Sequence, residues 1–377
     1  MFENEKSDIL SNADMYQAKT QKICATPSSL KIPGVLTDGF PGAHSAKQQY
    51  RREVANSCMS PLVHDTNAKD NKAAPAKVSF LVLIRIETRG RSMFVTENLA
   101  ALRADMNTLR RQSSAPVALV PTMGALHPGH LSLAQRALED GCQVVATIFV
   151  NPTQFAAHED LESYPSSLQQ DLAMLRQQGI AGVWTPKVST MYPGLDVTRV
   201  RLGSGLTQRW EGEHRPHFFE GVATVVTKLL IATLPDRAYF GEKDFQQLKV
   251  IEAMAQDLLL PTQILGCPTV RESDGLAMSS RNAYLSAEER ALAPMLYRLL
   301  SECADDVRSD PSPTAVAHSI DRAQSRLLDS GFKNIDYLAL VDAKTLAPLD
   351  GRPKGTDARL IAAATLGSTR LIDNISV

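Results

Sequence analysis

Two imidazoles three residues apart, His127 and His130, stand in the run Val120-Pro121-Thr122-Met123-Gly124-Ala125-Leu126-His127-Pro128-Gly129-His130-Leu131. An apolar, strand-like stretch from Val117 to Val120 precedes the pair, and an amphipathic helical stretch from Leu131 to Leu138 follows it. The pair therefore falls at a helix N-terminus, where unpaired backbone N–H groups and a partial positive charge attract phosphate. Gly124 and Gly129 allow a tight turn and a close approach of backbone to ligand. Imidazole donors add a hold on negative charge building on a phosphate. Strand, glycine turn, paired histidines and helix together read as a nucleotide site of the adenylyl-transfer kind. A single histidine there would more simply be a cap or a surface residue; the pairing in this setting points to chemistry.

Three further segments have the same texture. Phe240-Gly241-Glu242-Lys243-Asp244-Phe245-Gln246-Gln247-Leu248 is a strand end, a glycine and a polar helix start. Lys243 could meet a phosphate, Asp244 a ribose hydroxyl, and Gln247 points the same way one turn on. Gly275-Leu276-Ala277-Met278-Ser279-Ser280-Arg281-Asn282 puts two hydroxyls and a guanidinium in a glycine-led loop, a phosphate clamp able to close over a nucleotide. Phe149-Val150-Asn151-Pro152-Thr153-Gln154-Phe155 ends a strand with an amide that both donates and accepts. Taken singly, each also reads as an ordinary solvated helix start, serine turn or loop. Glu159, Asp160 and Glu162 form an acidic cluster, either solvated or close to Mg²⁺.

The elements that must position these segments alternate. From about Phe94 the chain reads helix (Glu97 to Leu109), strand (Val117 to Val120), helix (Leu131 to Asp140) and strand (Val144 to Val150). It continues with helix Leu168 to Gln178, strand Val183 to Thr185, helix Val222 to Leu234, strand Arg237 to Phe240, helix Gln246 to Leu258 and strand Thr262 to Leu265. Strands separated by helices predict a parallel sheet covered on both faces, with its site at the C-terminal strand ends. Beyond Thr269, helices from Ser286 to Leu300 and Ala315 to Leu328, with strands at Ile335 to Leu340 and Ala358 to Ala364, predict a smaller α+β domain. The fold class is thus α/β: a Rossmann-like nucleotide domain over 93–269, then a lid domain over 270–377.

Residues 1–92 differ. They are polar and irregular, with a helical period only near Ala46 to Ala55 and an apolar run at Val78 to Ile84. Disorder is the expectation for such a segment. Met93, directly before the first patterned element, is read as the physiological start. The formal net charge of -1 implies neither a nucleic-acid surface nor an acidic tail. No run approaches the roughly 20 apolar residues of a membrane span. The 5 cysteines are odd in number and lack metal-ligand spacing, which reads as reduced thiols in a cytoplasmic protein.

The segments Pro121 to Leu131, Ile148 to Phe155, Phe240 to Leu248 and Val270 to Asn282 resemble, in order and rough spacing, those of the pantothenate synthetase (pantoate–β-alanine ligase) family. Asp160 to Pro165 and Met191-Tyr192-Pro193 fit as well, and the likeness runs from about Phe94 to the C-terminus. His-x-Gly-His alone also resembles the wider nucleotidyltransferase superfamily. The resemblance implies adenylation of pantoate by ATP with Mg²⁺, then capture of the adenylate by β-alanine to give pantothenate and AMP. It implies ATP contacts from Met123, Gly124, Ala125, Leu126, His127, Pro128, Gly129 and His130. Further ATP contacts would come from Gly241, Glu242, Lys243, Asp244, Val270, Met278, Ser279, Ser280 and Arg281. His130 would be the acid or proton donor, supported by His127, Lys243 and Arg281, and Gln154 and Gln247 would hold pantoate. A homodimer is implied, with the apolar strand Val144 to Val150 and its following loop as a candidate contact region.

One segment departs from the family. Many members read Arg-Pro-x-His-Phe, whereas this chain reads Arg215-Pro216-His217-Phe218-Phe219, so Phe218 stands at the usual histidine. Two other readings follow: a different nucleotidyltransferase without β-alanine, opposed by Gln154 and Gln247, or a nucleotide-binding regulator without catalysis, opposed by the intact His127, His130, Lys243 and Arg281.

Overall fold

The computed structural model describes residues 92–155, 161, 167–194, 198–203 and 205–377. The readings made for residues 1–91, with the helix near Ala46 and the strand near Val78, lie outside these residues, as does the cluster Glu159, Asp160 and Glu162. The described elements belong to one compact unit that ends at Val377.

Its first part runs β1 (Phe94–Thr96), α1 (Leu99–Gln112), β2 (Val117–Thr122), α2 (Pro128–Glu139), β3 (Gln143–Ile148), α3 (Leu168–Gln178), β4 (Gly182–Trp184), α4 (Val188–Met191), α5 (Glu211–His214), α6 (Phe218–Thr233), β5 (Arg237–Gly241), α7 (Phe245–Asp257) and β6 (Gln263–Cys267). The strands form a six-stranded sheet in the order β1-β4-β3-β2-β5-β6. All of its pairings are parallel. Without the short edge strand β1, this is the doubly wound nucleotide-binding order, and the direction of winding reverses between β2 and β5. Side chains of β2 alternate between two cores. Val117 and Leu119 pack with α1, α6 and α7, while Ala118 and Val120 pack with α2 and α3.

The reversal point is also where the sheet opens. β2 and β5 pair only at Ala118↔Arg237 and Leu119↔Ala238. The Thr122 carbonyl accepts from Phe149 N, so Thr122 faces β3 and the preceding Pro121 faces β5. Proline has no N–H to continue that ladder, and the two strands part toward their C-terminal ends.

The second part carries α8 (Ala287–Leu292), α9 (Met295–Ser309), α10 (Pro313–Asp329) and the antiparallel sheet β7 (Phe332–Asp342), β8 (Ala358–Leu366), β9 (Thr369–Ser376). Leu296, Leu299, Leu300 and Val307 of α9 bury against that sheet together with Leu327 of α10. A small core of Phe245, Val341, Leu346 and Ile361 joins the two sheets' layers. Trp210 reaches across the same boundary and donates from Nε1 to the Leu346 carbonyl at 2.9 Å.

Four expectations change. The single helix from Ser286 to Leu300 is two helices, because Pro294 lacks the N–H and crowds the preceding turn. The capping box read at Ser286 and Glu289 does form. Helix α6 starts at Phe218 rather than Val222, which moves the Arg-Pro-His-Phe departure onto a helix start. Strands β1 and β9 were not foreseen. Val144, Val145 and Ala146 are fully buried inside the sheet, which leaves Ile148 and Val150 as the partly exposed residues of the strand expected to make a subunit contact.

Candidate active site

The turn after β2 is built by backbone strain and one carboxylate. Gly124 and Ala125 take φ of 89° and 50°, the left-handed region that costs a non-glycine residue energy. Two successive left-handed residues aim their following N–H groups at a common point. There the Asp171 carboxylate of α3 accepts from Ala125 N at 3.0 Å and from Leu126 N at 2.9 Å. Asp171 is 1% exposed. It was not foreseen, yet it left a signal: an acid on the helix stripe that also carries Leu172 and Leu175.

The chain then enters α2 through the histidine pair itself. His127 is the N-cap and His130 the third helical residue, and each ring satisfies a backbone donor. His127 Nδ1 accepts from Gly129 N at 3.2 Å, and His130 Nδ1 accepts from His127 N at 3.4 Å. This is the reciprocal capping arrangement normally made by Ser and Glu. It places the proton of each neutral ring on Nε2. Burial, then the nearby Lys243, pulls His127 down to about 4. Burial, then the neighbouring His127, pulls His130 down to about 3. Both rings are therefore neutral near pH 7, with ring centroids 4.0 Å apart. They offer Nε2–H hydrogen bonds rather than imidazolium charge.

A cavity of about 750 Å³ lies at the open ends of β2 and β5, within the range of small-molecule sites. Met123, His127, Gly129 and His130 line it from the first loop. Gly241, Lys243, Asp244 and Gln247 line it from the second, and Gln154 from the end of β3. Val270, Met278, Ser279, Ser280 and Arg281 close it from the segment after β6. Five expected ATP contacts are absent from the wall. Gly124, Ala125, Leu126 and Pro128 form the backing of the turn, and Leu126 is buried. The Glu242 side chain turns away to pair with Arg359 at 3.1 Å.

The C-terminal sheet holds the second and third loops. Asn374 of β9 donates from Nδ2 to the carbonyls of Glu242 and Lys243, both at 2.9 Å. Its neighbour Asp373 takes a bidentate pair from Arg271 at 2.6 and 2.8 Å. Arg271 bridges to Ala277 at the base of the clamp hairpin. At the tip, Ser279 caps a single helical turn by accepting from Arg281 N, and Ser280 Oγ donates to the Ala125 carbonyl at 3.2 Å. The clamp thus rests on the histidine turn.

A buried ion cluster forms the opposite wall. Glu211 of α5 accepts from Arg215 Nη1 at 3.2 Å, from Arg370 Nη1 at 2.9 Å and from the Tyr337 hydroxyl at 3.2 Å. Arg215 also donates to the Gln154 carbonyl at 3.2 Å and lies 3.8 Å over the Phe218 ring. Phe218 lines the cavity, whereas His217 is exposed and does not. The position of the family's usual histidine is therefore filled by a ring that seats a guanidinium. No sequence pattern announced this cluster, whose members lie up to 159 positions apart.

A family profile described as pantoate-beta-alanine ligase matches residues 94–376. Pantothenate synthetase of Rhizorhabdus wittichii is 52% identical over 285 residues, covering 76% of this chain and 99% of that protein. That of Acidiphilium cryptum is 51% identical, covering 76% and 100%. Among solved structures, the Thermus thermophilus pantothenate synthetase superposes with a TM-score of 0.69 at 45% identity, over 75% of this chain and 99% of the other. The Francisella tularensis pantoate-beta-alanine ligase, complexed with beta-gamma ATP and beta-alanine, gives 0.63 at 32%, over 76% and 98%. Sheet order, paired-histidine helix cap and these matches across both sheets converge: the chain belongs to the pantoate–β-alanine ligase family.

Proposed function

We propose that this cavity joins D-pantoate to β-alanine at the expense of ATP, in two steps. First, a pantoate carboxylate oxygen bonds to the α-phosphorus as its bond to the bridging oxygen breaks, releasing pyrophosphate. Second, the β-alanine amine bonds to the acyl carbon of pantoyl adenylate, AMP leaves, and the amine gives up a proton. The observation that carries this reading is one cavity wall bearing the α2 N-terminus, Lys243, Gln154 and Gln247 together.

In the first step negative charge shifts to the α-phosphate oxygens and the leaving pyrophosphate. The Nε2–H groups of His127 and His130, the α2 N-terminus and the Lys243 ammonium are fixed donors for those oxygens and need no reorganisation. Met278, Ser279, Ser280 and Arg281 hold the rest of the triphosphate, Asp244 the ribose and Val270 the adenine. Gln154 and Gln247 hold pantoate, with Gln154 also near β-alanine. Positioning of this kind supplies much of the rate without a covalent enzyme intermediate. Residues 270–377 act as the lid domain on the nucleotide domain 93–269.

Mg²⁺ enters with ATP. Among the described residues no group of three or more His, Cys, Asp or Glu is placed to hold a metal. Of the wall carboxylates Glu211, Asp244, Asp336 and Asp373, all but Asp244 are paired to arginines, so the ion would be carried chiefly by the phosphates. We further read the protein as a cytoplasmic homodimer; the free thiols Cys142, Cys267 and Cys303 support a reducing compartment. No helix among the described residues is long and apolar enough to cross a membrane.

The test incubates the full chain with ATP, Mg²⁺ and D-pantoate, with and without β-alanine. Multiple turnovers to pantothenate and AMP should need β-alanine, and D-pantoate alone should release at most one pyrophosphate per site. Sustained pyrophosphate release without β-alanine, or no turnover, overturns the reading. Sedimentation velocity checks the dimer.

A further inference from the structure

We propose that Tyr192 is a positioning residue that sets which face of the Gln154 amide meets substrate, acting through Asn151. The proposal rests on the assignment of Gln154 to pantoate. Tyr192 follows α4 and is absent from the cavity wall, so it does not touch what the cavity binds. Its hydroxyl donates to Asn151 Oδ1 at 2.6 Å. The same oxygen lies 3.0 Å from Thr153 Oγ1 and 3.3 Å from Thr153 N.

The Thr153 N–H can only donate and the Gly221 carbonyl can only accept, so Oδ1 faces Thr153 and Nδ2 faces Gly221; the Tyr192 hydroxyl, by donating to Oδ1, reinforces that orientation. Asn151 is 1% exposed, so water cannot take over those contacts. Its Nδ2 is thereby directed to Gln154 Oε1 at 3.1 Å and to the Gly221 carbonyl at 3.3 Å. With Oε1 occupied, Gln154 turns its NH₂ to the cavity, where Nε2 lies 3.0 Å from Met123 Sδ. Gln154 is thus a donor, matched to a hydroxyl or carboxylate oxygen of the substrate.

Tyr192 is held in turn by Lys228. That ammonium donates to the Met191 carbonyl at 2.8 Å and lies 4.0 Å from the Tyr192 ring centroid. Tyr192→Phe keeps the ring and these contacts and removes the hydroxyl, with its bond to Asn151 Oδ1 and its 3.2 Å contact to Thr153 Oγ1. The fold should survive, since Thr153 still serves Asn151 Oδ1.

Steady-state kinetics of the full chain test this, with D-pantoate and ATP varied in turn for wild type, Tyr192→Phe, Gln154→Ala and the double variant. Loss of one orienting hydrogen bond should raise the KM for D-pantoate about fivefold. The KM for ATP should stay unchanged, and the double variant should be no worse than Gln154→Ala. An unchanged Tyr192→Phe beside an impaired Gln154→Ala overturns the role of Tyr192 and leaves that of Gln154 standing. Gln154→Ala with an unchanged KM for D-pantoate overturns both. Additive effects in the double variant, or equal rises for both substrates in Tyr192→Phe, show that Tyr192 acts by another route and overturn the proposal.

Discussion

Asp171→Asn should damage the histidine turn without altering any residue of the cavity wall. The carboxylate has two oxygens and serves two backbone donors, Ala125 N at 3.0 Å and Leu126 N at 2.9 Å. Asparagine fits the same space but offers one oxygen. The other position becomes an NH₂ group that meets a buried N–H. A charge-assisted hydrogen bond is worth about 1.5–3 kcal/mol, and a buried donor left without a partner costs a similar amount. Relief from burying a carboxylate offsets part of this, so a net loss of about 2–3 kcal/mol is expected. Ala125 at φ 50° keeps its strained conformation only while the turn is over-determined. Released, it shifts the entry into α2, and with it His127 and His130. A displacement of about 1 Å at reacting groups can cost about a hundredfold in rate. Urea unfolding gives the stability change, and kcat with saturating ATP and D-pantoate gives the rate. The cavity wall itself is untouched, so an unchanged kcat with an unchanged urea midpoint would refute the claim that Asp171 shapes the site.

Three other outcomes are expected. The unfolded chain titrates both histidines near 6.5, whereas the folded chain holds them at about 4 and about 3. Between pH 6.5 and 4 the unfolded state therefore binds up to two more protons. Stability is lost as pH falls through that window and is insensitive to these groups above it, at roughly 1.4 kcal/mol per pH unit per proton. The double variant His127→Gln, His130→Gln should show a shallower acid limb in pH-dependent urea unfolding; an identical limb contradicts the depressed values. Glu211→Ala leaves Arg215 and Arg370 without their shared partner, although Arg370 keeps Asp336, and should cost about 3 kcal/mol, read by calorimetry; an unchanged unfolding temperature contradicts a stabilising buried cluster. Phe218→His keeps an aromatic ring beneath Arg215, where such stacking is worth about 0.5–1 kcal/mol. Its kcat and KM values should stay within about fivefold of wild type. A hundredfold change would make the missing histidine the decisive feature of this chain.

Segments whose neighbours in sequence are also their neighbours in space were readable from the sequence. The turn after β2 carries its strand, glycines, histidines and helix within the single run Val117 to Glu139, and α3 ends at Gly179, which takes the left-handed conformation the residue type allows. The third strand of the smaller sheet was missed because both of its faces carry a buried polar residue: Asp373 on one, paired to Arg271, and Asn374 on the other, paired to the Lys243 backbone. A strand that spends core positions on gripping the site loses the alternation by which strands are recognised. Glu211, Arg215, Tyr337 and Arg370 meet only when the two sheets are docked, and no local spacing encodes that.

The histidine pair shows why residue type can matter even where a standard cap would fold as well. Serine and glutamate at positions 127 and 130 would satisfy the same backbone donors and start the same helix. They would, however, spend their oxygens as acceptors and bring a carboxylate to the place proposed above to attract phosphate. An imidazole has two ends. Nδ1 accepts from the backbone, which leaves Nε2–H as a donor at the opposite edge. Burial that keeps the ring neutral then works in favour of the cap, since an imidazolium has no acceptor left to give. Protonation of either ring would break the cap bond that its Nδ1 accepts. The depressed pKa values and the capping geometry are therefore two expressions of one constraint, and a substitution that frees either Nδ1 should raise the pKa of that ring and loosen the first turn of α2 together.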